Sequence, residues 1–525
     1  MPPAMSSRER SSRSLTRDLR SAASLCVLLS IWVCARAARG ADVDGGAAGG
    51  DAGAATDGGV GTGESTTTGA ADTGGGGLFE QSMAASGAGA GEGTAAVAPI
   101  FTLNGYVRGD AFVGKVPDER AAAMKANYGE LALQLRTLKT SHGDGFAEAR
   151  IRYGLQGDET RTSVDVREAY VNAHFGRLDL RLGQQIIVWG RADALNPTNN
   201  LTPVDFRIRS PLEDDIRLGN VGARGFLRLA PLRIEGVWMP VYLASELPPV
   251  GLPELVSFGR PTYPSSRIEN GLVAGRVHLE LPAFEMSVSY LRGYAPLPGL
   301  TLAGLTFDAT NPGVTVSRTA YEHQVVGFDF STALGDVMTL RAEAAYRRPF
   351  DYQNRSYAAR PDVQYVLGAD HNFGSLSVIV QYMGRYVLDW QKQSGTMRDS
   401  SELRGILMNP DPTNVANWTE IVTAEINSEL AQINQILFSQ TARVQHVATL
   451  RFEWLLAHET LTLSALGLYN VTTREWLAMP RIGYRASDAL TLYVGGQIFA
   501  GPDDTLFGFI DQHLSAGYVE LRYAF

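Results

Sequence analysis

From residue 101 onward, apolar and polar side chains alternate along the chain with a period of two. In FTLNGYVRGDAFV, Phe101, Leu103, Val107, Ala111 and Val113 share one register, and Thr102, Asn104, Tyr106, Arg108 and Asp110 share the other. Successive side chains of a strand point to opposite faces, so this segment has one apolar wall and one polar wall. The pattern recurs along the chain. Leu131, Leu133 and Leu135 oppose Glu130, Gln134 and Arg136; Ala149, Ile151 and Tyr153 oppose Glu148, Arg150 and Arg152. Met338, Leu340, Ala342, Ala344 and Tyr346 oppose Arg341, Glu343 and Arg347; Leu450, Phe452 and Trp454 oppose Arg451 and Glu453. Many of these segments are about 9–13 residues long. A tilted strand crossing an outer membrane needs about that length, whereas soluble strands average about five or six.

Both faces need surroundings that suit them. The apolar face meets lipid. The polar face carries Arg and Glu in mid-strand, and a packed soluble core would bury those charges at high cost. A water-filled lumen does not. The pattern predicts an all-β fold, a transmembrane antiparallel barrel of about 18 strands (16–18), with outer-loop inserts that include one short helix. The joins support it. Brief ones near 140–144, 176–177, 230–231, 281–282, 331–335, 371–374, 458–459 and 486–489 alternate mainly with longer ones near 114–127, 184–219, 242–267, 293–318, 348–360, 389–440 and 501–512. Outer-membrane barrels have short periplasmic turns and longer outer loops. Within the longest join, Ile421, Ile426, Leu430, Ile433 and Ile436 recur at helical spacing, predicting a helix over 418–440 that caps or enters the pore.

The expected domains are a signal peptide (1–37), a Gly/Ala/Thr-rich periplasmic segment without fixed structure (38–97) and the barrel (98–525). The first has Arg13, Arg17 and Arg20 ahead of the apolar run SAASLCVLLSIWVC, then Ala35-Arg36-Ala37. This is the three-part layout of a secretory signal, and the run is short for a membrane anchor. Cys26 and Cys34 are the only cysteines, so cleavage after Ala37 leaves a mature chain with none. Residues 41–97 have too little apolar surface to offset their ordering entropy. Charged residues are only 19% of the chain and the formal net charge is -9, with no basic block in its body, which argues against nucleic acid as a partner.

The last residues, SAGYVELRYAF, place Val519, Leu521, Tyr523 and Phe525 on one face and Tyr518, Glu520 and Arg522 on the other. This resembles the closing strand of outer-membrane barrels. The resemblance implies that Phe525 and Tyr523 are read by the barrel insertion machinery. A second resemblance lies where the alternation breaks. The stretch LRLGQQIIVWGRADALNPTNNLTPVD is similar to the signature of a family of large Gram-negative outer-membrane, porin-like barrel proteins of poorly defined function. Arg181, Gly183, Gln184, Trp189, Gly190, Asp193, Asn196 and Pro197 match it. Pro203-Val204-Asp205 departs from it by the inserted Val204. The resemblance implies a barrel whose loop folds inward or caps the mouth, with Trp189, Gly190, Asp193, Asn196 and Pro197 as candidates for a constriction.

The eight histidines form no HExxH motif or close metal pair, and no GxSxG elbow or phosphate-binding glycine loop is present. Neither an enzyme nor a cofactor or metal site is expected. Acidic runs such as Glu213-Asp214-Asp215 read as solvated loop charge. The expected function is a channel or porin-like transporter for small solutes, by diffusion through a charge-lined lumen narrowed by loops. The candidate lining residues are Arg136, Arg150, Arg152, Arg224, Arg228, Arg341 and Arg451, with Glu130, Glu148, Glu343 and Glu453. The alternatives are transport of hydrophobic compounds and a non-conducting structural or surface barrel. The expected surroundings are outer-membrane lipid and lipopolysaccharide. The solute is undefined, and nothing in the sequence marks an oligomer interface.

Overall fold

A computed structural model describes residues 101–115, 121–157, 159–247, 253–308, 310–335, 337–393, 398–409 and 417–525. The expected signal peptide and Gly/Ala/Thr-rich segment lie outside the described residues. The chain forms β1 (Phe101–Lys115), β2 (Ala122–Thr137), β3 (Gly143–Gln156), β4 (Glu159–Phe175), β5 (Leu178–Gln185), β6 (Asn220–Leu229) and β7 (Leu232–Met239). It continues with β8 (Val256–Phe258), β9 (Leu272–Glu280), β10 (Glu285–Tyr294), β11 (Gly299–Thr306), β12 (Gly313–Thr319), β13 (Glu322–Leu334) and β14 (Met338–Pro349). Then come β15 (Asp362–Phe373), β16 (Leu376–Val387), α1 (Ser400–Met408), α2 (Trp418–Leu437), β17 (Val444–Leu456) and β18 (Leu461–Asn470). The last elements are β19 (Glu475–Arg485), β20 (Leu490–Ala500), α3 (Leu506–Leu514) and β21 (Ala516–Ala524).

Eighteen of these strands make one closed antiparallel sheet, each paired with its neighbour in sequence once β8, β11 and β12 are set aside. Closure is between the first and last strands, where Arg108 lies opposite Arg522 and Asp110 opposite Glu520. Closure leaves no outermost strand for lipid to meet. Gly105 and Phe525 complete the seam by exchanging two backbone hydrogen bonds of 2.9 Å. The two-residue period sorts the side chains as expected. Leu103 is 55% exposed and Leu521 51% on the outer face, whereas Arg108 and Glu520, on the inner face of the same two strands, are each 1% exposed. Turns of two to five residues close one rim, and the long connections stand on the other. By the usual asymmetry the short-turn rim is periplasmic.

The sequence led us to expect one short helix; the described residues contain three. The helix expected at 418–440 is α2, and it is 20 residues long. It packs on β11 with Leu300, Val314, Val316, Leu403, Leu407, Val422, Ile426 and Leu430 in one apolar cluster, so α1, α2 and the β8–β11–β12 sheet form a cap within the outer connections. Asn434 ties it down by accepting from the Leu300 amide at 2.7 Å and donating to the Leu300 carbonyl at 2.8 Å. The nine-residue α1 was not legible because its amphipathic run is so short, although Asp399 and Glu402 form a capping box there. The 242–267 stretch, one of the longer joins, contributes β8, which pairs in parallel with β12.

Candidate functional site

The lumen is shaped by the connection between β5 and β6, residues 186–219. β5 stops at Gln185 because the chain turns inward there. Ile187, Trp189 and Leu201 then pack with Val237, Met239, Leu272, Leu291 and Val325 as an apolar cluster inside the barrel. Trp189 Nε1 donates to Glu235 of β7 at 2.9 Å, and Arg224 donates to the same carboxylate at 2.8 Å. Gly190 follows with φ of +103°, and a Cβ there would collide with Asn196 and Glu343. Only glycine adopts that backbone while passing so close. The amides of Arg191 and Ala192 then donate to Glu343 of β14, the second at 3.0 Å. The Arg191 side chain spans Asp329 of β13 at 2.7 Å and Glu285 of β10 at 2.5 Å. Asp193 receives Arg451 of β17 at 2.5 Å.

The chain then crosses to the opposite wall. Asn196 Oδ1 accepts from the Asn199 amide at 3.1 Å and fixes the turn, with Pro197 buried beside it. Tyr128 of β2 donates to the Arg209 carbonyl at 2.5 Å, and the Arg209 guanidinium donates to the carbonyls of His513 and Leu514 at the end of α3. The last carbonyls of a helix are the ones open to donors from outside it. Glu213 reaches Arg451 at 2.8 Å. Asp215, expected as solvated charge, is instead buried, bound by Arg108 at 2.7 Å, Arg150 at 2.6 Å and Arg167 at 3.4 Å. Burial alone would raise its carboxyl, but those three guanidiniums and the Ser210 hydroxyl override it and hold the group well below the usual carboxylate range.

The structure gathers Arg150, Arg152, Glu130 and Glu148 into this cluster, with Arg152 on Glu130 at 2.5 Å and Arg150 on Glu148 at 2.6 Å. Its centre is Arg108, which has four carboxylates around it: Asp215, Glu130 at 2.8 Å, Asp110 at 3.4 Å and Glu520 at 3.5 Å. Arg341 and Glu343 stand apart on β14, where Arg341 meets Asp370 at 3.1 Å and the Arg191 carbonyl at 3.2 Å. Arg224 joins the Trp189–Glu235 group on the other wall. Glu453 is half-buried on the same face of β17 as Arg451. Arg136 and Arg228 lie apart at the periplasmic end, Arg136 over the Phe146 ring at 4.9 Å and Arg228 on Asp179 at 2.9 Å. Arg108, Asp110, Asp215, Asp329 and Glu520 were missing from the sequence-derived set. The inward register of β1 and β21 marks three of them, but nothing local marks Asp215 as the charge that reaches them.

Residues 109–251 match the family described as Protein of unknown function (DUF1302). That span includes the whole inserted loop. The chain is an 18-stranded closed antiparallel β-barrel. No curated protein matches it in sequence. Among solved structures, Pseudomonas aeruginosa OccK2 (OpdF) in complex with glucuronate is 10% identical, with a TM-score of 0.46 over 80% of this chain and 96% of that one. A BenF-like porin from Pseudomonas fluorescens Pf-5 is 11% identical, with a TM-score of 0.47 over 81% and 98%. The outer membrane protein OpdK from Pseudomonas aeruginosa is 9% identical, with a TM-score of 0.45 over 81% and 98%. Within the barrel, the loop leaves a cavity of about 100 Å³ along β17–β19, lined by Asp193, Glu213, Asp214, Arg217, Arg451 and Arg481 among others. Among the described residues, no three His, Asp or Glu side chains are grouped so that they could hold a metal ion.

Proposed function

We propose that this barrel is a channel for small polar solutes, which pass along the cavity between the inserted loop and the β17–β19 wall. The observation that carries this reading is the loop itself. It is pinned to both sides of the lumen by ion pairs, so it narrows the passage at a fixed place. Arg217, Arg451 and Arg481 line this passage together with Asp193, Glu213 and Asp214. Opposed rows of charge at a constriction orient a polar solute and replace part of its hydration. In this reading Trp189, Gly190, Asp193, Asn196 and Pro197 shape the narrow point, Arg451 lines it, and the Arg108 cluster anchors the loop's return. Phe525 and Tyr523, on the outer face of the closing strand, are the residues we assign to recognition by the insertion machinery.

The test is single-channel recording of the folded protein in planar bilayers. Stable conductance steps are expected. Arg451→Ala, which releases both Asp193 and Glu213, should enlarge the steps or raise their noise. Silence from barrels that migrate as folded protein would exclude the channel.

A further inference from the structure

The barrel wall is not hydrogen-bonded over its whole height. β4 pairs with β3 from Glu159 to Ala173, with one bulge at Arg167. Its other edge meets β5 only over Ala169–Phe175. Because the chain leaves the wall after Gln185, the β4 edge from Glu159 to Glu168 has no strand beside it among the described residues. One group on that edge is satisfied by a side chain: the Val166 carbonyl accepts from Nε2 of Gln184 at 2.6 Å. This stretch is the half of β4 toward the long-loop rim. Val164 and Val166 point outward and are 68% and 50% exposed. Lipid does not tolerate bare backbone, so such an edge persists only beside protein or along a polar cavity.

Opposite the edge stands a small ribbon built from the inserted loop and the start of the next connection. It is held by Asp205 N to Ile216 O at 2.7 Å, Leu218 N to Pro203 O at 2.9 Å and Phe206 N to Glu246 O at 3.0 Å. At its base Gly219 lies against the Arg167 carbonyl, closely enough that a Cβ would not fit. Beside that contact a cavity of about 480 Å³ opens between edge and ribbon. Val164, Val166 and Leu243 give it an apolar side. Arg150, Arg152 and Arg167 line its inner side, each engaged with a buried carboxylate. Arg161 and Arg207 also line it, with side chains 54% and 47% exposed. Their partners are Glu159 for Arg161, and Asp205 and Glu246 for Arg207. The Arg161–Glu159 pair is exposed and weak, and Arg207, although bidentate on Asp205, meets Glu246 only at 3.6 Å, so an entering anion can compete for Arg161 and for the open side of Arg207.

We propose that this slot is a lateral portal, taking amphipathic solutes with an apolar body and an anionic head between the barrel interior and the outer part of the bilayer. The apolar rim receives the body, and Arg161 and Arg207 receive the head. The portal goes beyond the axial channel and lies along a different wall, so the two can fail separately.

The test uses the full chain in liposomes with dodecanoate carrying a photoreactive diazirine near its tail. Labelling should concentrate at 161–166, 205–208 and Leu243, and excess plain dodecanoate should compete it away. Val164→Glu places a like charge at the rim and should cut labelling about tenfold, while Val164→Leu should not. Conductance in planar bilayers should be the same for both. If Val164→Glu fails to insert, Arg161→Ala with Arg207→Ala serves instead. That double variant should abolish the preference for the acid over the matching diazirine dodecanol. Labelling spread evenly around the lipid-facing wall, or insensitive to both variants, overturns the portal. Normal labelling with no conductance overturns the axial channel and leaves the portal standing.

Discussion

At the scale of single residues, Asp215 and Gly190 do the most to hold the lumen's shape. Asp215 is one carboxylate serving three guanidiniums. Replacing it by Asn removes the counter-charge from a buried cluster, a loss of about 3–5 kcal/mol for such a pair. We expect Asp215→Asn to leave the barrel folded but to free residues 205–217, seen as faster proteolysis of that segment and noisier current. The pH dependence follows from the sign of its shift. Its folded pKa lies below the unfolded value of about 3.9, so its contribution is complete above that value and fades only as pH falls through the lower, folded one. Loop protection in the native chain should therefore be equal at neutral pH and at pH about 4. Loss of protection between them would show that other groups hold the loop. Gly190→Ala forces a methyl against Asn196 and Glu343 at a backbone angle alanine resists. It should destabilise the loop by about 1–3 kcal/mol, read as a lower temperature for loss of the loop's protease resistance.

At the scale of elements, the cap is a separate packing unit seated on the outer connections. Its apolar cluster is its own, and it meets the wall through specific polar contacts. Arg385 of β16 donates to the Ser439 carbonyl at 2.6 Å, and Gln440 holds both the amide and the carbonyl of Arg360 at 2.8 Å. Trp390 donates to the Gln440 carbonyl at 2.9 Å. Replacing 392–438 with a short linker should leave a barrel that still shifts on heating in gel electrophoresis, since none of its eighteen strands is touched. Conductance should rise if the cap restricts entry, and a deletion that leaves conductance unchanged would confine the constriction to the inserted loop. Strand length shows how the sequence was legible. The long strands β1–β4 and β13–β17 alternate clearly. β5, β6, β7 and β9 are only eight to ten residues long, and their short length is what leaves the β4 edge uncovered.

At the scale of the molecule, the barrel is sorted by solvent rather than by depth: oil outside, charge inside. The interior charges are almost all paired, so any field acting on a solute comes from the order of the pairs and from the half-exposed guanidiniums. Ion selectivity should fall as salt is raised from about 0.1 M to 1 M, where the screening length shortens from about 10 Å to about 3 Å. Reversal potentials measured across salt gradients at the two concentrations would check it. Selectivity that holds at 1 M would place the discriminating charges in a buried, poorly screened site.

The linear pattern was enough to give the barrel, its strand number, its two faces and the rim that carries the long loops. Those properties follow from a period of two repeated along the chain and from what each face can tolerate as solvent. The inserted loop was visible only as a break in the pattern, with Trp189-Gly190 and Asn196-Pro197 marking turns. Folding alone decided where its charges go. Asp215 reads as a solvated acid among Glu213 and Asp214, and becomes the anchor of Arg108, Arg150 and Arg167 because the chain crosses the lumen to reach strands that are remote in sequence, the nearest of these partners being 48 residues away. The uncovered edge of β4 is likewise absent from the sequence. It depends on where a neighbouring strand stops, and that is set by the inward turn of the loop.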